Sequence, residues 1–291
     1  MALDTTVSKA IYRLESVSIL PFYYLQPTLA IIIHPDRETH KGDYSYLKAL
    51  QTAGAGYNAR VEIFHAASAP EVSDLIIKLK YNPNYDGLMI ISDYGEATRG
   101  LYDMIPARLD IDGMSSGSLG RLFGATNPIA YRKAPSTPVA VMKILQELMI
   151  ERNEKLEDKR IAVIGRSIKV GRPLAEILLQ QNATVMMWHS RSPEPLSKFN
   201  YFDIVISAIG KPKYWNEQNL DPKGKLLIDV GINVDDKGKL CGDFDYAALK
   251  DKADYITPVP GGVGPMTTVT VFAKLFANKR FQYEDINAQC Y

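Results

Sequence analysis

Short apolar runs alternate with amphipathic stretches along most of the chain, and this alternation predicts the fold. LAIIIHP (29–35), RVEIF (60–64) and DGLMIISD (86–93) read as buried strands. Between them, DYSYLKALQTAG (43–54) and PEVSDLIIKLK (70–80) carry helical spacing. The first stops at Gly54 or Gly56, where a left-handed cap is cheap, and the second has Pro in its first turn. A second set runs KRIAVIG (159–165), ATVMMWHS (183–190), DIVISAIG (203–210), KLLIDVGIN (225–233) and DYITPVP (254–260), with a helix from about Arg172 and a last helix over roughly 266–279. A helix over 138–150 joins the sets, whereas 95–140 is rich in Gly, Ser and Pro and shows no clear element, which marks it as functional. Strand–helix alternation of this kind predicts an α/β protein with parallel sheets and helices on their faces.

Composition narrows the classes. The 291 residues are 46% hydrophobic and 23% charged, with a formal net charge of +1, so neither nucleic acid nor an anionic membrane is an expected partner. No apolar run approaches a membrane span, and the first residues read as a helix start rather than a secretion leader. Cys241 and Cys290 form no disulfide framework, and His34, His40, His65 and His189 match no metal spacing. A reducing, cytoplasmic setting and no metal site are the expectation.

The chemistry begins at Gly165-Arg166-Ser167-Ile-Lys-Val-Gly171-Arg-Pro173, which follows a strand and opens a helix. Gly165 permits a tight turn, Gly171 a close backbone approach, and the helix N-terminus offers N–H groups to a pyrophosphate. Ser167 stands where the usual GxGxxG has its second Gly, and a plain strand–helix turn is the alternative. The next strand ends Trp188-His189-Ser190-Arg191-Ser192, with no carboxylate before Glu194 to bind ribose hydroxyls. Ser190, Arg191 and Arg166 suit the extra phosphate of NADP, so NADP is expected rather than NAD.

GRSIKVGRP, ATVMMWHSRS, DIVISAIGKP, LLIDVGIN and above all YITPVPGGVGPMT (255–267) occur in the order and spacing of one family. The chain resembles the methylenetetrahydrofolate dehydrogenase/methenyltetrahydrofolate cyclohydrolase proteins. The likeness is strong over 158–277 and continues more weakly through Asp110-Ile-Asp112-Gly113, Gly120-Arg121-Leu122 and Pro135-Ser-Thr-Pro138. It implies two domains: an N-terminal folate-binding catalytic domain over 1–144, completed by the C-terminal helix (about 265–291), and a Rossmann-like NAD(P)-binding domain over 145–264, with the substrate cleft between them. By motif, Gly165, Arg166, Ser167, Ser190 and Ile232 are expected at the dinucleotide, and Thr137 near the nicotinamide. Tyr44 and Lys48 match the family's tyrosine and catalytic lysine; their spacing puts both on one helical face. Asp112 matches the acid that pairs with the pterin's amino-pyrimidine edge, and Pro260, Gly261 and Gly262 are expected against the folate.

The implied reaction oxidises 5,10-methylenetetrahydrofolate with NADP and, in the family, hydrolyses the methenyl product to 10-formyltetrahydrofolate. Lys48 is the candidate for moving the proton in the second step. Here the sequence departs. Ile91 stands where the family has a Gln that supports the lysine, and an apolar side chain makes no hydrogen bond. Asp93 is a second possible partner for Lys48, and Met114–Ser118 also diverges. Dehydrogenation is therefore expected and hydrolysis is placed in doubt. Two other readings stand beside it: a non-catalytic folate- or nucleotide-binding sensor or subunit, and another Rossmann dehydrogenase, which leaves PVPGGVGPMT unexplained. Family relatives are homodimers, so a dimer is expected.

Overall fold

The computed structural model describes residues 3–36, 41–124, 133–192 and 196–289, with backbone alone for 41–42, 196–198 and 283–289. His40, Glu194 and Cys290 lie outside the residues so described. Helix α1 (Thr5–Ser18) and a 3-10 turn (Leu20–Leu25) precede β1 (Thr28–Ile33), α2 (Lys41–Gly56), β2 (Arg60–His65), α3 (Ala69–Leu79) and β3 (Gly87–Ile90). Next come α4 (Thr98–Met104), α5 (Ser116–Phe123) and α6 (Ser136–Arg152), then β4 (Arg160–Ile164), α7 (Gly171–Leu179), β5 (Thr184–Trp188), β6 (Ile204–Ser207) and β7 (Leu226–Asp229). A small hairpin of β8 (Asn233–Val234) and β9 (Leu240–Cys241), α8 (Tyr246–Leu249), β10 (Tyr255–Ile256) and α9 (Val263–Gln289) complete the chain.

Two compact units form. One is chiefly Tyr12–Gly124 together with the residues from Thr268 onward; the other is chiefly Thr137–Thr267. In the first, β2, β1 and β3 make a three-stranded parallel sheet in that order. Central β1 (TLAIII) is buried along nearly its whole length, which explains its uninterrupted apolar run: helices cover both faces of a parallel sheet. Edge strand β2 is only half-buried and carries Arg60 and Glu62. The core joins Ala30, Ile32, Leu88 and Ile90 of the sheet to Val72 and Ile76 of α3 and Leu101 of α4.

In the second unit, five parallel strands run in the order β10-β7-β6-β4-β5. This is a doubly wound sheet whose strand order reverses between β4 and β6. In such sheets ligands bind outside the carboxyl ends at that reversal. Phe199, Trp215 and Phe244 pack on its Ala162, Val205 and Leu227.

The strands and long helices fall where the apolar pattern puts them, with most strands ending earlier than expected and α2 and α6 two residues later. The run over 254–260 keeps only two strand residues, and the last helix is longer than expected. The stretch 95–140 was the real misreading. It holds α4 and α5, helices of seven and eight residues, too short to display a hydrophobic period. Among the described residues, no helix is long and apolar enough to cross a membrane, and no group of three metal-ligating side chains converges.

Candidate functional site

In the doubly wound unit, β4 delivers the chain to Gly165, whose φ of +120° favours glycine. A Cβ there would stand 2.5 Å from the Ala208 carbonyl oxygen, just beyond β6, so the turn crosses the point where the strand order reverses. Gly171 is demanded still more strongly, because its Cβ would fall 1.9 Å from the Gly165 carbonyl oxygen. The two glycines therefore close on each other. The close approach expected at Gly171 is to the turn's own backbone. Ser167 Oγ accepts from Val170 N at 3.1 Å, and Arg172 N donates to the Ser167 carbonyl at 3.1 Å. Ser167, in the place of a second glycine, thus folds the loop that leads into α7.

Arg166 projects from this turn, exposed, with Nη1 3.5 Å from His189 Nε2 at the end of β5. His189 organises the following turn: its backbone N–H donates to Ser192 Oγ at 3.1 Å, and its Nδ1 accepts from Arg191 N at 3.1 Å. Arg166, His189, Ser190 and Arg191 are thereby gathered at the carboxyl edge, and Ser190 and Arg191 are exposed. Described residues at this strand end include no carboxylate.

The loops after β6 and β7 are held by two buried acids that sequence reasoning missed. Asp243 accepts from Ser207 Oγ (2.8 Å), Ile209 N (2.8 Å), Lys211 N (3.0 Å) and Asn233 Nδ2 (2.9 Å). Asp229 accepts from Gly231 N (3.0 Å), Asp243 N (2.9 Å) and Phe244 N (2.9 Å). Burial pushes the Asp229 carboxyl up to about 7, against the pull of those N–H groups. The available signal was an Asp closing an apolar strand, LLID, with Gly231 two residues on. Gly231 packs on Asp243, and Ile232 next to it is turned outward, 56% exposed for an apolar side chain. Thr257 Oγ1 accepts from Asp229 N at 2.7 Å, tying the start of the Pro-Gly-Gly segment to the same acid. Beyond it the Val259–Pro260 bond is cis; Pro260 is half-buried, and Gly261 (φ +113°) and Gly262 are buried. A Cβ on Gly262 would meet the Pro258 carbonyl oxygen at 2.5 Å. Thr137, also in this unit, sits half-buried in the first turn of α6.

In the three-stranded unit, Tyr44 and Lys48 lie one turn apart on α2, both exposed. Asp112 is half-buried and precedes Gly113 (φ +70°), whose Cβ would strike the Lys133 carbonyl oxygen at 2.2 Å. Its neighbour Asp110 is structural. It is buried and accepts from Met114 N (3.1 Å), Ser115 N (3.0 Å), Ser115 Oγ (2.6 Å) and Ser118 Oγ (2.6 Å). Ser115 also caps α5 by accepting from Ser118 N. The divergent Met114–Ser118 stretch is thus a helix start built around Asp110.

Tyr46, between Tyr44 and Lys48, has its phenol pushed up by burial and then by the Asp112 charge, which places Asp112 close to α2. On α9, Lys274 Nζ donates to Ser136 Oγ (3.0 Å), to the Ile111 carbonyl (3.3 Å) and to the Ala134 carbonyl. Burial pushes this amine down to about 8, opposed by Asp112 and Asp110.

At the end of β3, Ile91 is half-buried, and its N donates to the Ile32 carbonyl at 3.0 Å. Ser92 Oγ accepts from His34 N at 2.7 Å. Asp93 does not partner Lys48. Its Oδ1 accepts from Gly95 N (2.9 Å) and Thr98 Oγ1 (2.7 Å), because it caps the turn into α4. Among the described residues, Lys48 makes no ion pair.

Known proteins match the chain over both units. The family model for the tetrahydrofolate dehydrogenase/cyclohydrolase NAD(P)-binding domain matches residues 135–283. The Bifunctional protein FolD of Methanoculleus marisnigri is 39% identical over 255 residues, covering 87% of this chain and 87% of its own. Among solved structures, the bifunctional 5,10-methylenetetrahydrofolate dehydrogenase/cyclohydrolase of Thermoplasma acidophilum superposes with a TM-score of 0.79 at 27% identity, over 97% of this chain and 98% of its own. The FolD enzyme of Campylobacter jejuni gives a TM-score of 0.79 at 26% identity, over 95% and 96%. A glycine-closed turn at the strand reversal, the Pro-Gly-Gly segment and likeness over nearly the whole chain lead to one conclusion: this chain belongs to the tetrahydrofolate dehydrogenase/cyclohydrolase family.

Proposed function

We propose that the chain oxidises 5,10-methylenetetrahydrofolate to 5,10-methenyltetrahydrofolate with NADP⁺ as the hydride acceptor. The observation that carries this reading is the turn from Gly165 to Gly171, set at the strand reversal in a chain of this family. Its glycines pack on backbone, Gly165 on Ala208 and Gly171 on Gly165, and so fold the turn that leads into α7, whose first N–H groups suit a pyrophosphate. Arg166, Ser190 and Arg191, with no carboxylate among the described residues at that strand end, select the phosphorylated dinucleotide. Ile232 offers an outward apolar side chain, and Thr137 a hydroxyl.

The dinucleotide, when bound, supplies the hydride-accepting ring; the protein supplies position. The two nitrogens flanking the methylene carbon stabilise the cation left behind, so no side-chain base is needed for the oxidation. Tyr44 stacks on the pterin, Lys48 reaches the reacting carbon, and Asp112 takes the two N–H donors of the amino-pyrimidine edge. Pro260, Gly261 and Gly262 bring backbone against the folate.

Hydrolysis of the methenyl product needs Lys48 to take part in proton movement, and here the lysine has neither a glutamine nor Asp93 beside it. Oxidation is therefore faster than hydrolysis, and the methenyl intermediate accumulates. The enzyme acts as a homodimer in the cytoplasm, as the family resemblance implies; light scattering of the purified protein tests the first point. The central experiment follows NADPH and the methenyl chromophore separately after mixing methylenetetrahydrofolate with NADP⁺. NADPH with accumulating methenyl product supports the reading. Binding of both ligands without NADPH would make the chain a sensor or subunit instead. Rapid loss of the methenyl product, abolished by Lys48→Met, would show that the hydrolase is intact.

A further inference from the structure

Lys274 is a cation on a helix whose neighbouring positions Val271, Phe272, Leu275 and Phe276 are all fully buried. The reaction drawn above does not use it. A buried ammonium is costly unless its protons and its charge are both matched, and an apolar side chain would fill the same space more cheaply. Here the protons are all matched: three donor hydrogens meet two backbone carbonyls and one hydroxyl. The two carbonyls are not arbitrary. Ile111 immediately precedes Asp112, and Ala134 belongs to the backbone on which Gly113 packs, with 2.7 Å between that glycine's notional Cβ and the Ala134 oxygen. One ammonium therefore holds both walls around the Asp112–Gly113 turn.

We propose that Lys274 is a positioning residue of the folate site, clamping the Ile111 and Ala134 carbonyls and so holding Asp112 aimed at the amino-pyrimidine edge. This rests on the reading of Asp112 as the pterin-recognising acid. The charged groups facing Lys274 are Asp112 and Asp110, which favour its charge, and Lys133, which with burial disfavours it. Lys133 itself is pushed down chiefly by burial and donates to Asn278 Oδ1 at 2.7 Å, so it is held apart on its own acceptor.

The balance gives the clamp a pH signature. The amine loses its proton near 8 in the folded chain and near 10.5 in the unfolded one. Between these values the unfolded chain binds more protons, so stability rises with pH, while the neutral amine keeps only two donor hydrogens for its three acceptors, the clamp loosens and folate binding weakens. A merely structural prop would move both in the same direction.

The test is steady-state kinetics of the full chain from roughly pH 6.5 to 9.5, spanning the titration. KM and kcat for methylenetetrahydrofolate and KM for NADP⁺ are measured for wild type, Lys274→Met, Asp112→Asn and the double variant. Lys274→Met should raise the folate KM at neutral pH by about tenfold to a hundredfold, as expected when a hydrogen bond to a charged group is lost. KM for NADP⁺ should stay put, and the rise of folate KM with pH expected of wild type should disappear. The double variant should be no worse for folate than Asp112→Asn, since Lys274 acts through that acid. If Lys274→Met does not fold, Lys274→Gln retains two N–H donors without the charge and should still lose the pH dependence. Additive effects of the two substitutions, or equal loss of affinity for both substrates, would overturn the clamp while leaving Asp112 in its role. An unchanged folate KM in Asp112→Asn would instead remove the Asp112 reading, and the inference with it.

Discussion

Arg166→Ala separates recognition of the dinucleotide from recognition of its extra phosphate. The guanidinium stands exposed beyond the glycine turn, 3.5 Å from His189, so its removal disturbs no buried packing. A hydrogen bond to a charged group contributes about 1.5–3 kcal/mol. Exposure and salt screening take the lower end of that range. About 1.4 kcal/mol corresponds to one factor of ten, so KM for NADP⁺ should rise about tenfold. NAD⁺ lacks the phosphate, and its KM should hardly move. The assay is initial-rate NAD(P)H formation at saturating methylenetetrahydrofolate, repeated at two salt concentrations. Wild-type KM for NADP⁺ should climb with salt, and that of Arg166→Ala should climb less. Equal increases in KM for NADP⁺ and NAD⁺ would refute the reasoning, because Arg166 would then serve the pyrophosphate or the turn rather than the phosphate on the ribose.

Three further outcomes are expected. Ile91→Gln restores a polar side chain at the end of β3 and should raise methenyl hydrolysis relative to oxidation, read as faster decay of the methenyl absorbance; no change would mean that Lys48 lacks more than this support. Gly171→Ala puts a carbon 1.9 Å from a backbone oxygen, so the turn must shift; a loss of about 1–3 kcal/mol of stability, typical of overpacking, should accompany a weakened NADP⁺ affinity. The acid Asp229 ionises near 7 in the folded chain and near 3.8 in the unfolded one, so the folded form binds more protons between those values and stability falls as pH rises through that window, by up to about 1.4 kcal/mol per unit. Trp188 and Trp215, the two tryptophans of the chain, both lie in this unit, so urea unfolding followed by their fluorescence should show that slope in wild type and a flatter one in Asp229→Asn.

What could be read beforehand follows from the range of the interactions. β1, β4 and β6 announce themselves because a strand covered on both faces must be apolar at every position. The Gly165–Gly171 turn was legible because much of its constraint is local: two glycines six residues apart, the second packed on the carbonyl of the first. Asp243 was not legible. Its donors come from residues 207, 209, 211 and 233, and nothing in the string GDFD says that four hydrogen bonds will converge there. Lys274 was hidden for the same reason, since its acceptors at 111, 134 and 136 lie far back in the chain. Asp93 shows the opposite failure: it was expected to partner Lys48, but its nearer obligation was to the turn into α4, which was too short to be foreseen.

The network around Asp243 has an evolutionary reach beyond its own loops. Because one carboxylate fastens the segments after β6 and β7 at once, the bed under the dinucleotide is assembled before any ligand arrives. The groups proposed to distinguish one coenzyme from another stand elsewhere, on the exposed rim formed by Arg166 and the turn after β5. Coenzyme preference can therefore drift by exchange of exposed side chains alone, while the foundation that carries either coenzyme is left untouched.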